Sequence, residues 1–185
     1  MTCIVSLRQD DKIYIGGDTA AVSGLSVNVR QDVKVFKNKN MLIGFAGSFR
    51  LGQLMRFAFK PPAHKKGQDA FEYMCVDVVR SIQKCFEKHG FGGHNKKEEK
   101  ETSGQMLVAY KGVLYEIYED YQVGISSETY SAIGCGGDLA MGAMYALEHL
   151  PKNQVLPAET KINIALNAAV THNGGVLPPF TILSS

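Results

Sequence analysis

The sequence lacks a strong charge of either sign and lacks long apolar runs. Its 20 lysines and arginines nearly balance 18 aspartates and glutamates, so the formal net charge is +2. Such a balance gives no long-range field to attract nucleic acid or an anionic membrane. No apolar run approaches the ~20 residues of a membrane span. The run at residues 3–7 meets Arg8 and Asp10 before it forms the apolar segment of a signal peptide. We therefore expect binding neither to nucleic acid nor to membranes.

Paired cysteine and histidine motifs are also missing. The four cysteines form no C-x-x-C pair, and Cys75 and Cys85 fall within one predicted helix. We interpret them as buried free thiols in a reducing compartment, which favours a cytoplasmic location. No two of the five histidines are spaced four residues apart. The sequence therefore predicts no metal site and no cofactor.

The hydrophobic patterning predicts a single domain over residues 1–185, with 45% hydrophobic residues and no repeat or linker. Apolar and β-branched segments between polar turns predict strands at 2–7, 12–17, 33–36, 41–46, 105–110, 113–118, 130–134 and 180–183. Helical spacing predicts helices at 48–59, 68–88 and 158–172, and one after Gly137 with Asp138 as its N-cap. The Lys- and Glu-rich segment 94–103 is expected to be a solvated loop.

This element order indicates an α+β fold. Runs of antiparallel strands alternate with helix pairs, and no β-α-β alternation indicates a parallel sheet. The pattern fits two stacked antiparallel sheets whose outer faces are covered by helices.

Thr2 is the first residue of chemical interest. A threonine hydroxyl is a poor nucleophile unless a base takes its proton. A free α-amino group, with a reference pKa near ~7.7–8.0, can serve as that base. Thr2 gains such a group if Met1 is removed, whereas with Met1 attached its nitrogen is an amide. Thr2 alone is weak evidence, because threonine is common at position two.

Asp18 and Lys34 add to the pattern, because Asp18 ends the strand that pairs with the first one and Lys34 falls on the next predicted strand. A nearby ammonium would depress the pKa values of the nucleophile and of the α-amine, and a carboxylate would hold that ammonium in place. From spacing alone, Asp18 and Lys34 are more readily explained as surface or turn residues.

Five segments in order carry a family resemblance: T-C-I-V-S-L from Thr2, I-G-G-D-T around Asp18, V-K-V around Lys34, I-G-F-A-G ending at Gly47, and A-I-G-C-G-G around Cys135. Together they resemble the proteasome β-subunits, and most closely the bacterial HslV-type peptidases, over nearly the whole chain. The resemblance implies the N-terminal-nucleophile (Ntn) hydrolase fold, a four-layer αββα sandwich.

The resemblance also implies roles for individual residues. Thr2 would supply the nucleophile and, through its α-amine, the base. Asp18 would orient Lys34, which would ease proton removal. Gly47 would sit in the turn whose backbone N–H forms the oxyanion hole, although it is equally explained as a strand-to-helix glycine. Unfolded polypeptides would be cleaved inside a homo-oligomeric ring, with an ATPase unfoldase as partner.

Two positions depart from the family pattern. Cys135 stands where the family usually has serine, and Asn173 aligns where the proteasome branch has aspartate. These departures favour a second hypothesis, a catalytically inactive ring-forming subunit. A third is a small-amide Ntn hydrolase that uses Thr2 or, after further trimming, Cys3.

Two further expectations follow from the resemblance. Residues near the first specificity pocket are apolar and predict cleavage after hydrophobic residues: Ala21, Val22, Phe45 and Ala46. The apolar stripe of the helix at 68–88 is a candidate ring contact, although the whole stripe is equally explained as core.

Overall fold

The computed structural model describes residues 1–91 and 104–185, so the loop expected at 94–103 lies outside the described residues. Within that part of the chain there are eleven strands. Their bounds are β1 Ile4–Gln9, β2 Lys12–Asp18, β3 Ala20–Ser23, β4 Ser26–Val29, β5 Val35–Asn38, β6 Met41–Gly47, β7 Gly104–Tyr110, β8 Val113–Ile117, β9 Val123–Ile125, β10 Tyr130–Ile133 and β11 Phe180–Ser184.

The strands form two antiparallel sheets and a separate hairpin. One sheet has the order β10-β1-β2-β11, the other has the order β5-β6-β7-β8-β9, and β3 pairs only with β4. In the first sheet Ile4 lies opposite Gly17, so Asp18 lies beside the segment that carries Thr2 and Cys3. The register of β1 and β2 therefore brings two sequence-predicted site residues together.

Four helices of the described residues flank the sheets. Helix α1 is Phe49–Phe57, α3 is Gly137–Glu148 and α4 is Ala158–His172. Helix α2 combines Ala70–Glu72, a π-helical segment Tyr73–Val78 and Val79–Lys88. A short 3-10 turn, Lys152–Gln154, precedes α4. No described helix is long and apolar enough to cross a membrane.

The core consists of three apolar layers, which confirms the predicted αββα sandwich. Helices α1 and α2 cover the five-stranded sheet and bury residues such as Ile43 and Phe86. Helices α3 and α4 cover the four-stranded sheet and bury Val5 and Leu166. Between the sheets, alternate residues such as Ile4 pack face to face. Because strand side chains alternate, Ile4 faces the other sheet while its neighbours Cys3 and Val5 face the helices.

Some local predictions were wrong. Asp138 is not an N-cap: α3 begins one residue earlier, at Gly137, after the cap residue Gly136. Asp138 instead lies in the first turn, where its charge still favours the helix N-terminus. Lys34 does not lie on a strand, because β5 begins at Val35. The hairpin β3–β4 and the strand β9 were not predicted, since neither has a clear apolar alternation.

Candidate active site

A buried ion pair forms the base of the site. Lys34 Nζ lies 3.0 Å from both carboxylate oxygens of Asp18, and both side chains are fully buried. Lys34 Nζ also donates to the carbonyl of Ala20 at 2.6 Å. Removing such charges from water is unfavourable unless each is paired and hydrogen-bonded, as both are here.

Asp18 is held by the backbone on either side of it. Its Oδ1 accepts from the Cys3 N–H at 3.0 Å, and its Oδ2 accepts from the Ala20 N–H at 3.1 Å. These bonds tie the end of β2 to the segment that precedes β1. The carboxylate therefore fixes the position of Thr2 through its neighbour Cys3 as well as orienting Lys34.

Burial lowers the pKa of the Lys34 ammonium below its ordinary value, and the Asp18 carboxylate opposes that shift. Desolvation penalises the charged form of a lysine, whereas an adjacent carboxylate favours it. The result is an ammonium that stays paired but releases a proton more readily than an exposed lysine.

Thr2 lies directly against this pair and is 3% exposed. The Met1 carbonyl oxygen accepts from Thr2 Oγ1 at 2.6 Å and from Lys34 Nζ at 3.2 Å. The Met1–Thr2 peptide group therefore lies where the Thr2 hydroxyl and the Lys34 ammonium converge. The Met1 side chain packs against Gly175.

Cys135 and Asn173 lie on the other side of Thr2. The Thr2 N–H donates to Cys135 Sγ at 3.3 Å, and Asn173 Nδ2 donates to the Cys135 carbonyl at 2.8 Å. Asn173 Oδ1 accepts from Cys135 Sγ at 3.6 Å and from the Gly175 N–H at 2.9 Å. A thiol is a weak hydrogen-bond partner, so its position depends on the amide of Asn173.

Gly47 lines an open cleft of about 370 Å³ beside Thr2. Its backbone φ angle of 114° is one that residues other than glycine rarely adopt, so the turn into α1 requires glycine. All six sequence-predicted site residues thus meet in one place: Thr2, Asp18, Lys34, Gly47, Cys135 and Asn173.

The predicted specificity residues do not all share this cleft. Ala46 lines it, but Phe45 points to the opposite face of β6 and packs under α1 against Gly52. Ala21 and Val22 lie on β3 and are not among the lining residues. Phe45 instead lines a separate small pocket with Phe49 and Arg56, because neighbouring residues of a strand face opposite sides. Cleavage after hydrophobic residues stays a prediction.

Several residues of the site were not predicted from the sequence. Gly134 has a φ of 89°, and a Cβ there would lie 2.4 Å from the Thr2 carbonyl oxygen. The G-C-G-G motif, which begins at Gly134, could have indicated this residue. Gln105 and Glu119 line the cleft but have no sequence signal, because stacking of the two sheets brings them there.

Cys3 lies away from the cleft. Its side chain belongs to the core under α3 and α4 and is fully buried. Burial, followed by the nearby Asp18 carboxylate, raises the pKa of the Cys3 thiol to about 12. Such a thiol is not a nucleophile at neutral pH, so the geometry does not favour the hypothesis that Cys3 attacks the substrate. Residues 1–91 and 104–185 contain no group of side chains that could hold a metal ion.

Comparison with solved structures identifies the fold. BPH from Thiobacillus denitrificans in complex with epoxomicin matches with a TM-score of 0.80 and 18% identity, covering 100% of this chain and 98% of that chain. HslV from Trypanosoma brucei matches with a TM-score of 0.68 and 20% identity, covering 99% and 98%. The chain has the proteasome-like Ntn-hydrolase fold. The sequence-based resemblance is thereby confirmed at the level of the fold.

Other structures share this proteasome-like fold, and one belongs to an assembly. Anbu from Pseudomonas aeruginosa, solved as a helical assembly of the Anbu complex, matches with a TM-score of 0.65 and 15% identity, covering 100% of this chain and 81% of that chain. No family model matches the chain.

Proposed function

We propose that this protein is a threonine peptidase, with Thr2 as an N-terminal nucleophile after removal of Met1. The observation that carries this proposal is the convergence of Thr2 Oγ1 and Lys34 Nζ on one carbonyl oxygen, at 2.6 and 3.2 Å. A hydroxyl nucleophile, a buried cation and a cleft open to solvent are the parts that acyl transfer requires.

In the proposed reaction, the free α-amine of Thr2 takes the proton of Oγ1 as that oxygen attacks the scissile carbonyl carbon. Lys34 lowers the energy of the developing alkoxide through its charge. Cys135 Sγ, now 3.3 Å from the Thr2 nitrogen, accepts one amine hydrogen and keeps the nitrogen lone pair directed at Oγ1.

Attack converts the carbonyl oxygen to an oxyanion, which the backbone N–H at Gly47 stabilises. One such preorganised donor contributes about 3 kcal/mol to lowering the barrier. The C–N bond then breaks, and the α-ammonium returns its proton to the leaving amine. Water hydrolyses the resulting ester on Thr2: the α-amine takes a proton from water and gives it to the departing Oγ1.

We further propose that the substrates are unfolded polypeptides and that the protein works as a cytoplasmic homo-oligomeric ring supplied by an ATPase unfoldase. The fold of HslV and of the assembled Anbu complex supports an oligomer. The exposed apolar side chains of Phe71 and Val76 on α2 offer surface for such contacts. Four free cysteines fit a reducing compartment.

A second candidate function is an inactive ring-forming subunit that retains Met1. It is favoured by Cys135 and Asn173, which depart from the family pattern and lie beside Thr2. A retained Met1 would leave the Thr2 nitrogen as an amide, without a lone pair for proton transfer. The packing of Met1 against Gly175 would add to the stability of that state.

The two functions are separated by hydrolysis of internally quenched peptides. Thr2→Ala should abolish turnover, whereas the matched variant Thr171→Ala should leave it unchanged. Thr171 is exposed on α4, where its hydroxyl donates to the Asn167 carbonyl at 2.9 Å. Turnover by Thr2→Ala at the wild-type rate would contradict the proposal, and no turnover by a wild-type protein that retains Met1 would favour the inactive subunit.

A further inference from the structure

The cleft beside Thr2 holds one charge that the proposed reaction does not use. Glu119 is the only carboxylate among its nine lining residues. The residue lies in the turn after β8 and is exposed. None of the hydrogen bonds or ion pairs formed within residues 1–91 and 104–185 involves its side chain. Its charge is therefore available to a bound molecule.

The lining residues indicate which side of the substrate Glu119 faces. In acyl transfer the group that protonates the leaving amine must lie next to it, and here that group is the Thr2 nitrogen. Cys135 Sγ lies 3.3 Å from the Thr2 nitrogen and so marks the position of that nitrogen. Cys135, Gln105 and Glu119 line the same cleft; of the four residues expected on the acyl side, Ala46 also lines it, whereas Ala21, Val22 and Phe45 do not. We therefore assign the part of the cleft that carries Cys135, Gln105 and Glu119 to the leaving-group side.

No lysine, arginine or histidine side chain of the described residues lines this cleft, so no basic side chain there balances Glu119. The nearest site lysine, Lys34, is fully buried and already paired with Asp18. Gln105, half-buried on β7, supplies a neutral hydrogen-bonding amide to the same cleft as the carboxylate. A substrate side chain that carries a positive charge and several donors would satisfy both groups.

We infer that Glu119 selects a lysine or arginine side chain on the leaving-group side of the scissile bond. This inference rests on the proposed peptidase function and adds a substrate preference to it. The same carboxylate disfavours acidic residues at that position, because like charges repel.

The test uses internally quenched peptides that share the same sequence on the acyl side of the scissile bond. On the leaving-group side, the first, second or third residue is arginine, glutamine or glutamate. At one of these positions the wild-type protein should show a kcat/KM for arginine about fivefold above glutamine, as expected for a partly exposed ion pair. Glu119→Gln should remove the preference, Glu119→Lys should reverse it towards glutamate, and ~1 M salt should weaken it in wild type.

Asp120→Asn is the matched control. Asp120 is the next residue, is exposed and does not line the cleft, and its Oδ1 accepts from the Gln122 N–H at 2.9 Å, a bond that asparagine keeps. This variant should retain the arginine preference. Equal kcat/KM for the three peptides at every position in wild type, or a preference that Glu119→Gln leaves unchanged, would overturn the inference.

A binding measurement keeps this result separate from the proposed function. The same peptides, labelled with a fluorophore, are titrated against wild type and Glu119→Gln and followed by fluorescence anisotropy. Tighter arginine-peptide binding that Glu119→Gln abolishes would support Glu119 as the selecting group even if wild type cleaves no peptide, which would contradict only the peptidase. Equal affinities would overturn the inference.

Discussion

Replacing Lys34 with methionine removes the buried cation while keeping the length of the side chain. Asp18 then remains as a fully buried carboxylate without its counter-ion. Breaking a buried pair in this way costs about 3–5 kcal/mol. The N–H groups of Cys3 and Ala20 still bond to Asp18. We therefore expect the free energy of unfolding to fall by about 3 kcal/mol, the lower end of that range. For a domain of this size that lowers Tm by about 6–12 °C.

At the assay temperature, Lys34→Met should lose a much larger fraction of its turnover than the fraction of protein that unfolds. Loss of the cation that eases proton transfer should reduce kcat/KM by about 10²-fold or more. Lys34→Arg should not restore activity, because guanidinium is bulkier and does not release its proton near neutral pH. Peptide hydrolysis at 20 °C gives the rates, and thermal melting monitored by circular dichroism gives the stability.

Lys161→Met is the matched control for this experiment. Lys161 is also a buried lysine in an ion pair, 2.7 Å from Glu148, but Glu148 is partly exposed and neither residue lines the cleft. Its loss should cost only about 1 kcal/mol and leave turnover unchanged. Wild-type turnover in a folded Lys34→Met protein, or an equal loss of turnover in Lys161→Met, would show that the Lys34 cation does not assist proton transfer.

Three other predictions concern residues around Thr2. Cys135→Ser should keep or raise kcat/KM because a hydroxyl is a stronger hydrogen-bond partner than a thiol, whereas Cys135→Ala should lower it about tenfold by removing the acceptor of the Thr2 nitrogen. Gly134→Ala should reduce both Tm and turnover, since its Cβ would lie 2.4 Å from the Thr2 carbonyl oxygen; Gly174→Ala, which has open space, is its control. The pKa of the Cys3 thiol is about 12 in the folded protein against an ordinary value of 9.0. The unfolded chain therefore loses that proton first, and the Cys3 contribution to stability falls as pH rises between these values, by about 2 kcal/mol at pH ~10.5. Urea unfolding of wild type and Cys3→Ala at pH ~8 and ~10.5 should show that the free energy of unfolding falls less with pH in the variant than in wild type. An equal fall in both proteins would contradict the raised pKa of Cys3.

The sequence predicted most of the fold because the elements that build the sandwich have strong periodicity. Alternating apolar residues predicted β2 and β6, and helical spacing predicted α4 with the bounds Ala158–His172 that the structure has. The hairpin β3–β4 was missed because all of β4 is exposed and no buried face imposes alternation. The π-helical segment Tyr73–Val78 was missed because the apolar stripe of α2 continues through it.

The site was predicted to the extent that its residues lie in short motifs. Thr2, Asp18 and Lys34 are brought together by strand pairing and by the start of β5, both of which follow from the sequence pattern. The Lys34 bond to the Ala20 carbonyl depends on the unpredicted hairpin. Glu119 reaches the cleft through the stacking of the two sheets, a long-range arrangement that leaves no local pattern.

Mass spectrometry of the N-terminal peptide, after incubation with epoxomicin, shows whether Thr2 is an N-terminal nucleophile; epoxomicin is the compound bound in the BPH structure. We expect Met1 to be absent and the mass of one epoxomicin to be added to the peptide beginning at Thr2, with no addition in Thr2→Ala. A protein that hydrolyses peptides while Met1 remains attached, or an adduct on any residue other than Thr2, would contradict this role of Thr2.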